Sequence, residues 1–412
     1  MRIFQLLKLK KNEEAISFLE NIDYNVEFLE YGGRKIPRIY GDFWTSKQRQ
    51  SSSIHEISYR ACFKPELPYF FINLLTQKGD VVYDPFSGRG TTVIEAGLNG
   101  RRIISNDVNP LSEILCKPRF FIPDYENVKE RLEHIPVKNN ILCDIDLSMF
   151  YHTETLKEIL SLREYLNGKR QGGNEDSIDL WIRMVATNRL SGHSSGFFSV
   201  YTLPPNQAIS PERQRKINER LNQTPPYKNT KNIILKKTGN LLRKITPEQK
   251  KNLLSAGETG LFLSKDARDT KEIPAGTVSL TVTSPPFLDV VQYHQDNWLR
   301  CWFNGIDAEE ISKKITMAKT IEEWCSIIEE VFLELYRITK NGGYVAFEVG
   351  EVKKGKVYLD EYVIPLGIKA GFTPEGILVN YQKFTKTSKI WGIENNQLGT
   401  NTNRIVVFSK EN

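Results

Sequence analysis

The apolar and polar positions of this chain form alternating helix and strand patterns over much of its length. The first such region predicts a helix, a strand, a second helix and a second strand, at Leu67–Thr76, Asp80–Tyr83, Thr91–Asn99 and Arg102–Ser105. Strands that alternate with helices at this spacing indicate a parallel sheet covered on both faces. The first half of the chain therefore predicts an α/β domain.

Residues 125–255 interrupt this alternation. They are rich in Asn, Lys, Gln and Pro, and they contain helical stretches such as SPERQRKINERLNQ. The sheet pattern returns in TGLFLSKDARD and VSLTVTSPPF, followed by the long helix TIEEWCSIIEEVFLELYRIT. KNGGYVAFEVG predicts a Gly-Gly turn and a buried strand, and EGILVNYQKFT and NRIVVFSK predict an antiparallel pair around the polar loop Lys386–Asn403.

The predicted architecture is therefore a Rossmann-like sheet with helices on both faces, interrupted by a mainly helical insertion. Residues 1–54 form an N-terminal lead-in, expected to be helical and irregular. Residues 55–124 and 256–412 form the main α/β domain, and residues 125–255 form the insertion.

Composition narrows the class of protein. The chain has 412 residues, 40% of them hydrophobic, and contains no apolar run long enough to cross a membrane. Its start, MRIFQLLKLKKNEEAISFLE, has the pattern of an amphipathic helix and not of a secretion signal. Five scattered cysteines without a CxxC pair favour reduced thiols in a cytoplasm and give no indication of a metal site. We therefore expect a cytoplasmic protein that needs no metal.

Positive charge is concentrated in the insertion. Residues 211–251 contain twelve Lys or Arg and three Glu, a net charge of +9, whereas the whole chain carries +6. The rest of the chain is therefore net −3. A concentrated basic segment on a near-neutral body favours a polyanionic partner, although a solvated lysine-rich face would have the same composition.

The stretch VVYDPFSGRGTT predicts a ligand site at the end of the first strand. Gly88 and Gly90 lie on the turn into the next helix, where they leave room for a ligand against the backbone, and Thr91 can cap that helix. Asp107 follows the next strand, about 17 residues after Gly90, where a carboxylate can accept both hydroxyls of a ribose. Two glycines on a strand-to-helix turn are also common without any ligand.

The same stretch excludes the common phosphate-binding motifs. A dinucleotide fingerprint would need a third glycine where Val93 stands, and a nucleotide-triphosphate loop would need GK followed by Ser or Thr. A cofactor with a ribose and no phosphate fits the pattern, and we expect S-adenosylmethionine.

The stretch VTSPPFLD predicts a second, stiff loop at the end of another strand. The consecutive prolines fix the backbone and remove two N–H donors, so carbonyl oxygens, the Ser284 hydroxyl and the ring of Phe287 remain. Such a pocket suits an exocyclic amino group on a flat ring, where methyl transfer depends on positioning and electrostatics. A proline-rich strand exit with a core Phe would have the same sequence.

These motifs together resemble those of the amino-group DNA methyltransferases, which modify N4 of cytosine or N6 of adenine. DPFSGRGTT is similar to their cofactor motif, TSPPF to their catalytic motif in its Ser form, and YRACFKPELPYFFINLL to the helix that precedes the cofactor loop. The resemblance covers about residues 55–120 and 260–410. It implies an S-adenosylmethionine-dependent methyltransferase sheet.

The resemblance also assigns roles to residues. It implies that the cofactor is bound by Lys64, Asp84, Phe86, Gly88, Gly90, Thr91 and Asp107, with Asp266 beside its adenine. It implies catalysis by Ser284, Pro285, Pro286 and Phe287, in which the Ser284 hydroxyl and the Pro285 carbonyl accept the hydrogens of the target amine and Phe287 stacks on the base.

A DNA duplex hides the target amine, so the nucleotide must leave the base stack. We expect the insertion to recognise double-stranded DNA and to supply phosphate contacts. The residues predicted to contact DNA are His193, Phe197, Arg213, Arg215, Lys236, Lys237 and Trp391. Each of these also has an ordinary structural interpretation, such as a buried aromatic corner for Phe197 or a loop anchor for Trp391.

The expected function is site-specific DNA methylation, with cytosine N4 favoured by Ser284 and with a cognate restriction endonuclease as the expected partner system. The cofactor motif precedes the catalytic motif by about 190 residues, an order that resembles the more often adenine-specific class. Adenine N6 therefore remains an alternative, as does methylation of RNA. A DNA-binding protein that keeps the fold without turnover is the third hypothesis, which the intact motifs disfavour.

Overall fold

In the part of the chain that the structure describes, the centre is a nine-stranded sheet. The computed structural model describes residues 23–44, 52–59, 62–203, 208–286, 293–314, 318–352, 356–381 and 402–411. The strands in these residues are β1 (Tyr24–Tyr31), β2 (Arg34–Gly41), β3 (Val81–Asp84), β4 (Arg102–Asn106), β5 (Leu261–Leu263), β6 (Val278–Thr283), β7 (Thr339–Val349), β8 (Glu351–Val352), β9 (Val357–Tyr358), β10 (Thr373–Tyr381) and β11 (Thr402–Ser409). The sheet order is β1-β2-β10-β11-β7-β6-β3-β4-β5, and β8 pairs with β9 separately.

Helices connect and cover the strands. Within the described residues they are α1 (Glu66–Leu75), α2 (Thr91–Leu98), α3 (Leu111–Cys116), α4 (Tyr125–His134), α5 (Thr153–Gln171), α6 (Ser177–Arg189), α7 (Pro211–Leu221), α8 (Thr230–Leu242), α9 (Pro247–Thr259), α10 (Tyr293–Asn304), α11 (Ala308–Lys314), α12 (Ile321–Ile338) and α13 (Leu359–Ala370).

The middle of the sheet is parallel and buried. Strands β7, β6, β3, β4 and β5 are parallel to their neighbours, whereas β11 runs antiparallel to β7. Every residue of β3 and β6 is buried, as expected for parallel strands with both faces covered. The predicted α/β class with a central, mostly parallel sheet is confirmed.

The strand order places a crevice between β3 and β6. The chain moves outward from β3 through β4 to β5, and then returns to add β6 and β7 on the other side of β3. The connections therefore leave β3 and β6 in opposite directions and open a gap at their carboxyl ends. Ligands of open α/β sheets bind at such a switch point.

Helices α4 to α9 occupy the connection between β4 and β5. Their apolar side chains join the hydrophobic core of the sheet, so that Trp181 of α6 and Leu253 of α9 belong to the same cluster as Val93 of α2. A recognition role for residues 125–255 stays a prediction, and so do the domain boundaries.

The N-terminal lead-in differs from its prediction. Residues 24–41, which we expected to be helical and irregular, form the antiparallel hairpin β1–β2, and β2 pairs in parallel with β10. The turn contains Gly32 and Gly33, both with positive φ, and two glycines between apolar runs are a hairpin signal. Pro37 lies within the second run and argues against a strand there, because proline is unusual inside strands, so the hairpin was not predicted. The predicted amphipathic helix at the start lies outside the described residues.

The predicted Gly-Gly turn is also wrong in detail. Strand β7 runs through Gly342 and Gly343, and its register with β6 shifts there, from Val278 opposite Thr339 to Leu280 opposite Tyr344. The left-handed backbone of Gly342 (φ 72°) permits this bulge. The predicted antiparallel pair at the end is present as β10–β11. Asn403 lies in β11 and not in the polar loop; residues 382–401 of that loop lie outside the described residues.

Candidate active site

A cleft at the switch point brings the two predicted motifs together. It lies at the carboxyl ends of β3, β4 and β6, and its lining includes Asp84, Asp107, Asp266 and Ser284. Phe86, Gly88, Thr91 and Pro286 also line it. Residues almost 200 positions apart in the sequence therefore share one cavity, as the prediction required.

The glycines of the turn after β3 are required by the backbone conformation and by packing within the protein, and not only by a ligand. Gly88 and Gly90 have φ of 52° and 81°, in the region that favours glycine. A side chain at Gly90 would collide with the sulfur of Cys116. The prediction attributed both glycines to ligand contact, but Gly90 is required by the packing of α3 against the start of α2.

Asp107 is fixed by backbone donors. The amide of Gly88 donates to its Oδ2 at 2.8 Å, and the amide of Asn109 donates to its Oδ1 at 2.9 Å. Burial outweighs these hydrogen bonds and raises the pKa of Asp107 to about 6. Each oxygen retains a lone pair for a further donor, such as a ligand hydroxyl.

Asp84 connects the cofactor turn to the catalytic strand. Its Oδ1 accepts hydrogen bonds from the hydroxyl of Thr283 at 2.6 Å and from the amide of Phe86 at 3.1 Å. On the neighbouring helix, the hydroxyl of Thr92 donates to the carbonyl of Val282 at 3.0 Å. Burial raises the pKa of Asp84 to about 7. A positive charge placed beside this group would lower its pKa and favour the carboxylate form.

Asp266 lies on the far wall and is already paired. The guanidinium of Arg268 donates to its two oxygens at 2.9 and 2.6 Å, and these bonds hold the pKa of Asp266 below its ordinary value. Arg268 also lines the cleft. The sequence prediction placed Asp266 correctly in the cavity but did not include its partner.

The catalytic loop is anchored from two directions. Ser284 donates a hydrogen bond to Glu348 of β7, which also accepts one from the side-chain amide of Asn403 in β11. Glu348 is buried, which raises its pKa above the ordinary value. The carbonyl of Pro286 accepts a hydrogen bond from the indole of Trp324 at 2.9 Å. Phe287 lies outside the described residues, and Pro285 is not among the residues that line the cleft.

Sequence reasoning missed Glu348, Trp324 and Thr283. A signal existed for Glu348, which is a single acid within the buried run YVAFEVG, since buried carboxylates are rare without a role. Trp324 lies in a helix that we predicted only as a sheet-covering element. Its proximity to the prolines depends on tertiary packing, which sequence spacing does not reveal.

Lys64 does not reach the cleft. Its side chain is exposed, whereas the preceding residues Cys62 and Phe63 line the cavity. A cofactor contact by Lys64 stays a prediction, and this placement does not support it.

The predicted DNA contacts are spread over the insertion. The side chains of His193, Arg213, Arg215 and Lys236 are exposed, and Arg215 pairs with Asp146 at 2.9 Å. Phe197 and Lys237 are buried, at 7% and 9% exposure. Because both side chains are buried, they are more suited to packing within the protein than to direct contact with a base. Trp391 lies outside the described residues.

In the described part of the chain, no group of three or more His, Cys, Asp or Glu side chains is arranged to hold a metal ion. In the same residues, no helix combines the length and hydrophobicity needed to cross a membrane.

Comparison with known proteins supports the resemblance. Residues 6–114 match a DNA methylase family model. A Type II methyltransferase of Geobacillus stearothermophilus is 21% identical over 342 residues, which cover 74% of this chain and 61% of that protein. The predicted family of amino-group methyltransferases is confirmed at this level, and N4 and N6 are not resolved. The family match ends before β6 and does not include the catalytic loop. The assignment of that loop therefore depends on the residues of the loop itself.

A further sequence match is short, and a further structural similarity is weak. A tRNA (guanine(10)-N2)-dimethyltransferase of Methanocaldococcus jannaschii is 36% identical over 63 residues, 15% of this chain and 18% of that protein. The solved structure of an rRNA methyltransferase from Streptomyces viridochromogenes has a TM-score of 0.36 and 10% identity, covering 89% of this chain and 96% of that one. A TM-score this low gives no additional support for the fold described above.

Proposed function

We propose that this chain is an S-adenosylmethionine-dependent DNA methyltransferase that modifies an exocyclic amine, with cytosine N4 favoured over adenine N6. The observation that carries the proposal is the meeting of Asp84, Asp107 and Ser284 in one cleft at the switch point of the sheet. The DNA methylase match and the Type II methyltransferase relative support the same class.

The residues of the cleft fit S-adenosylmethionine. Asp84 and Asp107 are carboxylates whose pKa values are raised by burial, so a cationic ligand beside them would favour their ionised forms. A ligand with a positive charge and a pair of ribose hydroxyls would satisfy both. When bound, this cofactor supplies a methyl group on a positively charged sulfur.

Ser284 and Glu348 then define how the target amine is held. The hydroxyl of Ser284 has a single proton, which it donates to Glu348, so the lone pairs on its oxygen remain to accept an amine hydrogen. The carbonyl of Pro286 is engaged by Trp324, whereas no donor among the described residues contacts the carbonyl of Pro285. We keep the predicted assignment of the second acceptor to the Pro285 carbonyl, although Pro285 itself does not line the cleft.

These acceptors raise the reactivity of a weak nucleophile. The lone pair of an aromatic amine is delocalised into its ring, and acceptors that hold its hydrogens restore electron density on nitrogen. The nitrogen forms its bond to the methyl carbon as the carbon–sulfur bond breaks, and it then releases one proton. That proton has a route through Ser284 to the carboxylate of Glu348.

A labelled methyl donor with mixed-sequence DNA tests the proposal directly. We expect label in DNA, and mass spectrometry of the nucleosides to identify N4-methylcytosine. N6-methyladenine would keep the class and correct the base, and label confined to tRNA or rRNA would move the substrate to RNA. Normal cofactor binding without label in any nucleic acid would contradict the proposal.

Substitution of Ser284 tests its role. We expect Ser284→Ala to lower the methylation rate by about 10²–10³, as for loss of a preorganised hydrogen-bonding group, while cofactor binding persists. Ser279→Ala is the matched control, because Ser279 lies at the opposite end of β6 and donates to Asp80 at 2.8 Å. Equal rates for the two variants would exclude the assigned role.

We also propose that the enzyme protects host DNA beside a cognate restriction endonuclease. The Type II methyltransferase relative supports this role, which would place the protein in the cytoplasm with chromosomal DNA. Expression in a host without the system should make its DNA resistant to one restriction specificity. Full sensitivity of methylated DNA to every nuclease tested would count against it.

A further inference from the structure

The segment between α6 and α7 contains a tight loop built around one aromatic ring. Residues 192–197, GHSSGF, which we call the 192–197 loop, fold so that the backbone of Gly192 lies against the ring of Phe197, leaving no room for a side chain. The amide of Phe197 donates to the carbonyl of Ser194 at 3.2 Å, and that of Thr202 donates to Gly192 at 3.3 Å. The loop is therefore a defined structure with an exposed tip.

The carbonyl groups flanking this loop are bound from inside the protein. The ammonium of Lys228 donates to the carbonyls of Phe197 and Ser199 at 2.9 and 2.6 Å, and the hydroxyl of Tyr151 donates to that of Leu190 at 2.9 Å. These contacts hold the chain in place on both sides of the tip.

The tip itself presents N–H and O–H groups. Within the described residues, the amides of Ser194, Ser195 and Gly196 have no hydrogen-bond acceptor. The side chains of His193, Ser194 and Ser195 are exposed. Three consecutive amides and two serine hydroxyls therefore place several hydrogen-bond donors at one exposed tip, and clustered backbone N–H groups can bind an oxyanion.

Positive charge lies directly beneath this surface. The guanidinium of Arg189 is 4.0 Å from the centre of the Phe197 ring, and Arg189 is only 8% exposed. Its hydrogen bonds go to the carbonyl and side chain of Asn188, and no carboxylate of the described residues forms an ion pair with it. The cation–π contact with the ring stabilises the guanidinium but leaves its net positive charge unchanged.

The cationic side chains near Arg189 have few carboxylate partners among the described residues. Lys237 is 3.8 Å from Glu56, a carboxylate that also pairs with Arg243, and among the described residues the ammonium of Lys228 contacts only carbonyl oxygens. A buried charge is screened less than an exposed one, so this excess extends its field to the loop above.

The loop is connected to the cleft through one short segment. The side chain of Asn188 donates to the carbonyl of Ser58 at 2.8 Å, and Arg300 donates to the same carbonyl at 3.2 Å. The next residue, Tyr59, lines the cleft. Helix α6, which leads into the loop, is therefore hydrogen-bonded to the segment that lines the cleft.

We propose that the 192–197 loop, with Arg189 beneath it, binds a phosphate of the DNA backbone next to the nucleotide held in the cleft. The amides and serine hydroxyls donate to the phosphate oxygens, and the buried arginine supplies the opposing charge. Phe197 acts as the platform between them and does not contact a base. The inference rests on the proposed DNA substrate.

A single negative charge at the tip tests this site. We expect Ser195→Glu to weaken binding of a short fluorescent DNA duplex about tenfold at low salt, and to reduce the slope of log affinity against log salt by about one. Ser255→Glu is the matched control, since Ser255 is also an exposed serine, lies on α9 and undergoes the same change in charge. Cofactor affinity should be the same in both variants.

The outcomes separate this inference from the function on which it rests. If the unmodified protein methylates DNA and both variants bind the duplex equally, the phosphate site is wrong and the methyltransferase proposal stands. If the unmodified protein binds its cofactor but neither binds nor methylates DNA, both are wrong.

Arg189→Met gives a second, independent measurement. It removes the charge and retains most of the buried volume, and folding can be checked by circular dichroism and cofactor binding. We expect the same loss of DNA affinity and salt dependence as in Ser195→Glu. A folded Arg189→Met protein with unchanged DNA affinity would overturn the contribution of this arginine.

Discussion

At the scale of single residues, the site is defined by hydrogen bonds between its two motifs. Thr283 precedes the catalytic serine, yet its hydroxyl donates to Asp84 of the cofactor turn. Thr92 follows the two glycines, yet it donates to the carbonyl of Val282 on the catalytic strand. Each motif therefore carries a hydroxyl that fixes the other, which sets the distance between a bound methyl donor and its acceptor.

Cofactor affinity should depend on pH through Asp84 and Asp107. Their pKa values are raised to about 7 and about 6, so both lose charge as the pH falls through this window. A cationic cofactor binds the ionised form, and its affinity should fall by up to about tenfold per pH unit for each group below its pKa. Isothermal titration calorimetry between about pH 8 and about pH 5 measures this dependence.

Asp84→Asn is the control for that measurement. It should bind the cofactor more weakly near neutral pH and retain only the lower step, from Asp107. Because the pKa of Asp84 is raised from 3.8 to about 7, its contribution to stability is greatest at low pH and is lost as the pH rises through 7. The cofactor-free variant should therefore be at least as stable as the unmodified protein above that pH. An unchanged two-step profile would contradict this assignment.

At the scale of elements, a buried ion network attaches the N-terminal hairpin to the end of the chain. Arg38 of β2 pairs with Asp360 of α13 at 3.0 Å and with Glu361 at 2.9 Å. Arg404 of β11 reaches Asp360 at 3.2 Å and lies over the ring of Tyr358 at 4.0 Å. Because β11 also supplies Asn403 to Glu348, the network lies behind the catalytic loop.

Loss of Arg38 should therefore destabilise the fold. We expect Arg38→Met to lower the free energy of unfolding by about 3 kcal/mol, because it removes one partner of a buried carboxylate. Lys35→Met, which breaks an exposed pair with Glu30 on the same hairpin, should cost less than about 1 kcal/mol. Urea denaturation of the two variants gives the comparison, and equal stabilities would show that the network contributes nothing.

The helices and strands also show which parts of the fold could be predicted from the sequence. Strands β3, β4 and β6 and helices α1 and α2 were predictable because local periodicity and turn residues determine them. The position of Asp107 followed from the same logic. The pairing of β2 with β10 and the contact of Glu348 with Ser284 were not predictable, because both depend on strand order, which no local pattern encodes.

At the scale of the whole molecule, the insertion and the sheet share one core. Gly97 of α2 lies so close to Phe120 and Leu253 that an added methyl group would contact them at 2.8 and 3.1 Å. Gly257 of α9 approaches Phe120 equally closely. Close packing of this kind makes α9 part of the sheet's cover and not a separate module.

We therefore predict that the insertion cannot be removed. Replacing residues 125–259 with a short flexible linker should leave a chain that neither unfolds cooperatively nor binds the cofactor, because Val93 and its neighbours would lose their apolar partners. Calorimetry should show one transition for the intact protein. A shortened chain that binds the cofactor with normal affinity would disprove this dependence.

The parallel pairing of β2 with β10 also determines when the molecule can be completed during synthesis. Phe43, just after β2, donates its amide to Asn380, which lies 337 residues further along the chain. While the ribosome makes the intervening residues, one edge of the newly made hairpin has no partner. Such an edge is open to association with other nascent chains, so slow translation or dense polysomes should favour aggregation at this step.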